Sequence, residues 1–155
     1  MKGLSFRVAE EVTSGVTHLV CAVDENKLCR RTIKFLRAMA LGVIIVSVEW
    51  LEDSYKSLNW LNPREHMVKG TVNSEKYAPC KSASDHKKGV PRLFTGLTFF
   101  IDKSIEASKL GKETICGLIK SANGKLVSRL PKETLCRRTN VYHAEEDQYC
   151  IHSPK

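Results

Sequence analysis

The run "VIIVSV" at 43–48 is the feature that most limits how this chain can fold. It is apolar at almost every position, whereas a strand with one face in water alternates apolar and polar side chains. A nearly continuous apolar strand is typical of a parallel sheet that is covered on both faces. The segments on either side of this run must therefore supply the covering elements.

The segments before this run predict a strand followed by a helix. The stretch "VTHLVCAV" (16–23) is rich in β-branched and apolar residues and predicts a strand. Ile33, Leu36 and Ala40 then recur at helical spacing, and Gly42 is expected to end the helix. A strand, a helix and a second strand in sequence predict a parallel pair with a helical connection.

Further elements extend the alternating pattern at both ends. The opening stretch "LSFRVAEE" (4–11) predicts a short strand, and Trp50 begins a second amphipathic helix. An acidic residue in "DENK" (24–27) is expected to be the N-cap of the first helix. Strands that alternate with helices predict an α/β fold.

The second half of the chain repeats the order strand, helix, strand. "RLFTGLTFFI" (92–101) predicts a strand, "KETICGLIKSA" (112–122) a helix, and "NGKLVS" (123–128) a turn that leads into a strand. Short strands are also predicted in the polar tail, at "NVYHA" (140–144) and "YCIHS" (149–153). The recurring order indicates a repeat.

The charge of the chain is strongly basic, and the excess is uneven. The net charge is +8, and residues 64–92 hold seven Lys or Arg against three Asp or Glu. A basic balance favours a phosphate-bearing or acidic partner, but it does not choose between nucleic acid and phosphorylated protein. A solvated basic loop explains the same segment equally well.

Several classes of function find no support in the sequence. No run approaches the ~18 apolar residues of a membrane span, so no membrane association is predicted. The six cysteines form no C-x-x-C pair and no ligand spacing with the histidines, so no metal or cofactor is predicted. No nucleophile or phosphate-loop signature occurs, so the chain is not expected to be an enzyme.

Several segments together resemble the family of tandem BRCT-repeat proteins. "VTHLV", "CRRTIKFLRAMALG" and "VIIVSVEWLEDSYKS" resemble the second half of a repeat, with Trp50 at its characteristic tryptophan. "PRLFTGLTFF" and "LIKSANGKLVS" resemble the opening of a following repeat. The order and spacing are nearest to two family members that carry a RING domain; "RRTIKF" favours one of them and "VYHAEEDQYC" the other.

The resemblance implies an α/β fold of three-layer repeats, each with a central parallel sheet flanked by helices, and two repeats packed in tandem. It places the first repeat at 1–62, a basic linker at 63–91 and the second repeat at 92–155. The first repeat is expected to lack its opening strand and helix, and the second its C-terminal part. One departure from the family pattern is Ile44, where the similar proteins usually carry an aromatic residue.

The resemblance also implies a binding site for phosphoserine or phosphothreonine. Lys34 matches the lysine that contacts the phosphate, Thr32 would support that pocket, and Arg31 matches the arginine that holds the peptide backbone. Leu36 and Leu118 match positions that line a pocket for an aromatic side chain three residues after the phosphate. Trp50 and Gly42 are interpreted as structural residues.

The chemistry of a helix start agrees with these implied roles. The first turn leaves backbone N–H groups unpaired and carries partial positive charge, so a phosphate gains from both. Without the resemblance, Arg31 and Lys34 fit a solvated helix face and the two leucines fit core packing. The family's hydroxyl-and-glycine ligand pair is not found, since Ser14-Gly15 precedes the second predicted strand and Thr95 is interpreted as structural. The phosphate site is therefore expected in part only.

Three functions follow from this pattern. The first is an adaptor module that binds a phosphorylated protein, with pSer-x-x-Phe as the expected motif, in DNA damage response or repair in the nucleus. The second is a BRCT-type DNA-binding module that uses basic residues of the linker: Lys76, Lys81, Lys87 and Lys88. The third is the non-catalytic targeting region of a RING-type ubiquitin ligase, whose parent protein would pair with a RING-domain protein.

Overall fold

The computed structural model describes residues 4–73, 77–107, 109–129 and 148–151. They belong to two compact units, a first unit from Met1 to Pro91 and a second unit from Arg92 to Lys155. Helices accompany parallel strands in both units. The predicted α/β class is therefore confirmed.

The first unit is built around a parallel pair of strands. Its described elements follow the order β1 (His18–Cys21), β2 (Leu28–Cys29), α1 (Ile33–Leu41), β3 (Ile44–Ser47), α2 (Val48–Lys56), a 3-10 helix (Pro63–His66), β4 (Gly70–Thr71) and α3 (Ala78–Lys87). Strand β1 runs parallel to β3, with His18 opposite Ile44 and Cys21 opposite Ser47. Strand β2 runs parallel to β4. The strands predicted at 16–23 and 43–48 are therefore confirmed.

Strand β3 is covered on both faces, as its apolar run predicts. Ile45 and Val46 are both fully buried, and successive side chains of a strand point to opposite faces. Ile45 packs in a cluster with Phe35 and Ala38 of α1. Helix α2 and the 3-10 helix also contact this strand. These layers around a parallel sheet hold the start of α1 in place.

Helix α1 ends where the sequence predicts but begins differently. Gly42 closes the helix in the left-handed conformation, with φ 72°. The predicted acidic N-cap in 24–27 is wrong, because the N-cap is Thr32. Strand β2 intervenes, and the Asp24 carboxylate instead accepts hydrogen bonds from the backbone N–H groups of Asn26 and Leu28, both at 2.9 Å.

The strand predicted at 4–11 is wrong. No residue of that stretch is in a strand, and Phe6 and Val8 are exposed. A two-residue alternation forms a strand only where another strand offers backbone partners. Glu11 instead contributes an ion pair with Arg37 of α1.

Residues 63–91 contain regular elements that pack within the first unit. Helix α3 contacts α1 and β3, and the Ser82 hydroxyl donates a hydrogen bond to the Met39 carbonyl at 2.6 Å. Val68 is fully buried and donates its backbone N–H to Ile45. These contacts depend on tertiary partners far away in the sequence, which is why the weak local pattern did not predict them.

The second unit has a three-stranded parallel sheet. Its described elements are β5 (Thr98–Ile101), a 3-10 helix (Lys103–Ala107), α4 (Lys112–Ser121), β6 (Lys125–Val127) and β7 (Gln148–Ile151). Strand β5 lies between β6 and β7 and runs parallel to both. The helix predicted at 112–122 and the strand after it are confirmed, with Phe99, Ile101 and Ile119 in the core.

The observed strands of the second half differ in length from the predicted ones. The strand predicted at 92–101 is too long, because residues before Thr98 form turns in which Thr95 bonds back to Arg92 and Leu97 to Phe94. Gly96 has a φ of 86°, which a strand does not accommodate. The strand predicted at 149–153 overlaps β7, and the one predicted at 140–144 lies outside the described residues.

Candidate functional site

The start of α1 presents a capped but open helix end. Thr32 has extended backbone angles, and its hydroxyl accepts a hydrogen bond from the Phe35 backbone N–H at 3.1 Å. The Thr32 carbonyl accepts from Leu36 at 3.0 Å, which closes the first turn. The N–H groups of Ile33 and Lys34 precede these bonds, and the first turn of a helix supplies no intrahelical acceptor for them. An anion at this helix end could accept from both.

Three cations lie within two residues of the Thr32 N-cap in the sequence. Arg30, Arg31 and Lys34 are all exposed, and α1 has no acidic residue in its first turn. Among the ion pairs of the described residues, none includes any of the three. Arg37, one turn further along, differs because it pairs with Glu11 at 2.8 Å. The helix start is therefore a concentration of uncompensated positive charge.

Strand β2, which precedes α1 in the chain, is buried and hydrogen-bonded within the first unit. Cys29 is 3% exposed, and its carbonyl accepts a hydrogen bond from Val72 at 3.1 Å. Burial raises the pKa of the Cys21 thiol to about 12, and the hydrogen-bonded Cys29 beside it contributes in the same direction. Burial likewise raises the pKa of Cys29. Both thiols are therefore protonated at neutral pH, and they act as packing residues rather than nucleophiles.

The two leucines predicted to line an aromatic pocket lie in different units. Leu36 is half-buried on α1 and packs against the core of the first unit. Leu118 is half-buried on α4 in the second unit. Each side chain retains exposed surface, and the assignment of a shared pocket stays a prediction.

Trp50 holds α2 in the first unit by one hydrogen bond and an aromatic stack. Its side chain is 5% exposed, and its indole N–H donates to the Leu61 carbonyl at 2.9 Å. The ring stacks on His18, with centroids 4.8 Å apart, and on Trp60, with centroids 5.3 Å apart. Burial lowers the pKa of His18, so this ring is neutral at pH 7.

Gly42 joins the end of α1 to α3. A Cβ added there would lie 2.3 Å from the His86 Cβ and 2.6 Å from its Cγ. The positive φ of 72° is a second reason for glycine at this position. The residue thus fixes the far end of the helix whose start carries the cations.

The hydroxyl-and-glycine dipeptides elsewhere do not complete the site. Ser14 and Gly15 lie in a turn before β1. The Thr95 hydroxyl accepts a hydrogen bond from the Asn123 side-chain amide at 3.0 Å, in the second unit. The described donors of the candidate site therefore all come from the segment between Arg30 and Lys34.

Sequence reasoning left two features of the site unassigned. The capping role of Thr32 has a recognisable signal, because a threonine directly before an apolar helical repeat is a preferred N-cap. Arg30 was noticed as a charge but received no role. Its exposure beside the N-cap depends on the turn from β2 into α1, which the sequence pattern did not predict.

The described residues offer no other recognisable site. They contain no group of three or more His, Cys, Asp or Glu side chains that could hold a metal ion. Within the same ranges, no helix is long and apolar enough to cross a membrane. The start of α1 is therefore the site to compare with known proteins.

One protein-family model matches the first part of the chain. Residues 1–55 match the BRCA1 C Terminus (BRCT) domain. The chain is 28% identical over 104 residues to the Protein BREAST CANCER SUSCEPTIBILITY 1 homolog of Arabidopsis thaliana, which covers 67% of this chain and 11% of that protein. It is 27% identical over 144 residues to the BRCA1-associated RING domain protein 1 of Mus musculus, covering 89% of this chain and 17% of that protein. The chain therefore spans less than a fifth of either relative.

A solved structure supports the tandem architecture. The BRCT5-BRCT6 domains of S. pombe Brc1 superpose with a TM-score of 0.58 at 17% sequence identity, over 90% of this chain and 63% of that one. At this identity the match shows the fold alone. These comparisons confirm the predicted resemblance to tandem BRCT-repeat proteins. The similar proteins include homologues of the type 1 breast cancer susceptibility protein and of its RING-domain associate.

Proposed function

We propose that this chain is a phosphopeptide-binding adaptor module, specific for phosphoserine or phosphothreonine, of a nuclear DNA damage response or repair protein. One observation carries the proposal: Arg31 and Lys34 are exposed at the positive end of α1 and have no carboxylate partner among the described residues. Uncompensated cations at a helix start cost stability. A bound phosphate would reverse that cost.

Each residue has a distinct task in this proposal. Lys34 supplies charge-assisted hydrogen bonds to the phosphate, alongside the open backbone N–H groups of Ile33 and Lys34. Thr32 caps the helix through Phe35 and so holds those N–H groups in position. Arg31 presents a forked guanidinium, which suits the carbonyl and carboxylate oxygens of a peptide backbone.

The partner is a phosphorylated protein, with pSer-x-x-Phe as the proposed motif. Leu36 would contact the phenylalanine, since it leaves part of its side chain exposed on α1. The resemblance to proteins of the breast cancer susceptibility type supports a role at sites of DNA damage.

The direct test is the binding of fluorescently labelled peptides, measured by anisotropy. We expect the chain to bind pSer-x-x-Phe more tightly than the unphosphorylated peptide. Lys34→Met removes the phosphate contact but no core contact, so affinity should fall by about tenfold or more. Phosphate-independent binding, or equal affinity of Lys34→Met and wild type, would overturn the assignment.

A matched control separates a local contact from the loss of one charge. Lys87 is exposed near the end of α3, within the same unit as Lys34. Lys87→Met lowers the net charge by the same amount and should leave phosphopeptide affinity within about twofold of wild type. A loss as large as that of Lys34→Met would show that only long-range charge matters.

A DNA-binding module is the second candidate, and the exposed Lys87 and Lys88 favour it. Lys81 is less available because it pairs with Asp85, and Lys76 lies outside the described residues. If this candidate holds, affinity for a DNA duplex should fall steeply with salt, and neutralising the lysines should reduce the salt dependence. Duplex affinity that is insensitive to those lysines would contradict it.

A role as the targeting region of a larger RING-type ubiquitin ligase is compatible with phosphopeptide binding. One relative carries RING domain in its name, and this chain matches 17% of that protein. In this proposal the parent protein pairs with a RING-domain protein, and the chemistry lies outside these residues. A cysteine and histidine RING pattern in the same polypeptide would test it.

A further inference from the structure

We infer that Ser82 is a phosphorylation site and that a phosphate there releases α3 from the end of α1. Ser82 has no task in the proposed phosphopeptide site, and it contacts the opposite end of α1 from that site. This role is separate from the proposed function and can be measured without any peptide. The agent is a serine kinase that uses a nucleoside triphosphate.

The Ser82 hydroxyl joins α3 to the last turn of α1. It donates a hydrogen bond to the Met39 carbonyl at 2.6 Å, and the same carbonyl accepts the Gly42 backbone N–H at 3.1 Å. Met39 is one of the last four residues of α1, whose carbonyls lack acceptor partners within the helix. Ser82 therefore donates its proton at the electronegative end of a helix.

A phosphate on Ser82 would turn this attraction into repulsion. Esterification removes the hydroxyl proton, and it adds about −1.5 to −2 charges beside a helix end that carries about half a negative charge. Three and four positions later on the same face of α3 are Asp85 and His86. Asp85 is a like charge that already pairs with Lys81, and His86 is positive only when protonated. Separation of α3 from α1 relieves the repulsion.

Helix α3 is held loosely enough to open locally. Of its ten residues, only Pro79 is buried, and Ser82 itself is half-buried. A helix of this length is not stable alone, and serine and aspartate are weaker helix formers than alanine or leucine. Elements with few buried contacts open more readily than the rest of a fold. Opening frees the Ser82 hydroxyl from Met39 and makes it available to an enzyme.

The residues after Ser82 indicate the class of kinase. Asp85 follows three positions later, and kinases select their substrates partly by the charges around the target hydroxyl. A kinase directed by acidic residues therefore fits this segment. In the reaction the Ser82 Oγ attacks the γ-phosphorus of ATP, the bond to the β,γ-bridging oxygen breaks, and ADP leaves. The hydroxyl proton passes to the catalytic base of the kinase.

The first test is phosphorylation of the whole chain by an acid-directed serine kinase with ATP, with the phosphate located by mass spectrometry. We expect modification at Ser82. Asp85→Asn should slow the reaction about two- to fivefold, as for one exposed charge pair, whereas Asp85→Glu should keep the rate. Phosphate at Ser84 alone, or at neither serine, would overturn the site. A rate at Ser82 that Asp85→Asn leaves unchanged would overturn the class of kinase.

The second test is hydrogen exchange of the whole chain with phosphoserine installed at position 82 during translation. We expect the amides of α3 to exchange about fivefold faster or more, because one hydrogen bond is lost and a repulsion is added. Ser82→Ala loses the bond without the charge and should give a smaller increase. Phosphoserine at position 84, an exposed position of the same helix, adds the same charge and should change the rates less than about twofold.

The exchange rates elsewhere show whether the release is local. Strands β3 and β5 should exchange as in the unmodified chain. Unchanged exchange of α3 with phosphoserine at position 82, or an equal increase with phosphoserine at position 84, would overturn the release. An increase in β3 as large as that in α3 would show that the whole first unit unfolds, which also contradicts it. None of these results depends on phosphopeptide binding, so each leaves the proposed function standing.

Discussion

The two units differ in the charges at the start of their main amphipathic helices. Helix α1 of the first unit begins with a threonine N-cap and has arginines and a lysine around it, without an acidic residue in the first turn. Helix α4 of the second unit begins after Gly111 without a side-chain cap and has Glu113 in its first turn. An acidic residue in the first turn is the ordinary arrangement at a helix start. The first turn of α1 therefore lacks a compensating charge that the first turn of α4 has.

The units also differ in the structural role of a tightly packed glycine. Gly42 combines a left-handed backbone with a close approach to His86, and it joins α1 to α3. Gly124 lies against Ile119 and Phe99 and fixes the turn between α4 and β6. In the first unit such a glycine fixes the end of α1 against α3. In the second it lies against side chains of the core.

The largest expected effect is the loss of stability of the first unit in the variant Gly42→Ala. The methyl group would lie 2.3 Å from the His86 Cβ, in a backbone conformation that alanine rarely adopts. We expect a destabilisation of about 3 kcal/mol, from the strained backbone and the clash together. Denaturant titration with hydrogen exchange, read separately for each unit, measures it.

Gly89→Ala is the matched control for that prediction. Its φ is 73°, but nothing lies within 4 Å of an added Cβ. This variant should cost only the backbone strain, about 1 kcal/mol. Equal losses in the two variants would contradict the role assigned to the contact between Gly42 and His86.

Gly124→Ala should produce a smaller effect, confined to the second unit. Its added Cβ would lie 2.7 Å from the Ile119 Cγ2 and 2.9 Å from the Phe99 Cε2. These side chains can shift in part, so we expect about 2 kcal/mol. Faster hydrogen exchange in β5 and α4, with α1 unchanged, is the expected result. Equal destabilisation of α1 would show that the units unfold as one.

Thr32→Ala should weaken the first unit by about 1 kcal/mol, because it removes the cap on the Phe35 N–H. Phosphopeptide affinity should also fall, since the open N–H groups lose their fixed position. Thr32→Ser retains the hydroxyl and should keep both properties near wild type. Loss of binding in both variants would instead indicate a role for the threonine methyl group.

The smallest expected effect is a pH dependence of the first unit through His18. Burial lowers the pKa of this residue from 6.5, so the unfolded chain binds the proton more readily. The stabilising contribution is therefore complete above about pH 6.5 and declines as the pH falls below it. Denaturation at pH 7 and pH 5 should show this decline, and His18→Gln should lessen it. An unchanged decline in His18→Gln would assign it to other groups.

Much of the fold could be predicted because its strongest signals are local. The apolar run at 43–48 and the helical spacing that ends at Gly42 each depend on residues next to one another in the sequence. Helix α3 was not predicted, because its packing depends on Ser82 reaching Met39 and His86 reaching Gly42. Contacts of that range leave no periodic pattern.

Within the candidate site, too, residues with a local sequence signal could be predicted and the others could not. Arg31, Thr32 and Lys34 lie within four consecutive positions, so the resemblance of one short segment to a family motif was enough to single them out. The stretch at 4–11 shows the limit of such reasoning, because its alternation found no strand partner. Leu36 and Leu118 lie in two separate units, and only the family resemblance predicted that they share a pocket.

We propose that the phosphate binds at the start of α1 and not at the start of α4. NMR titration of the labelled chain with a pSer-x-x-Phe peptide distinguishes the two helix ends. We expect the backbone N–H signals of Ile33 and Lys34 to shift most, the unphosphorylated peptide to leave them in place, and Lys34→Met to reduce the shifts. Largest shifts at the start of α4 or at the end of α3, with Ile33 and Lys34 unmoved, would rule out phosphate binding at α1.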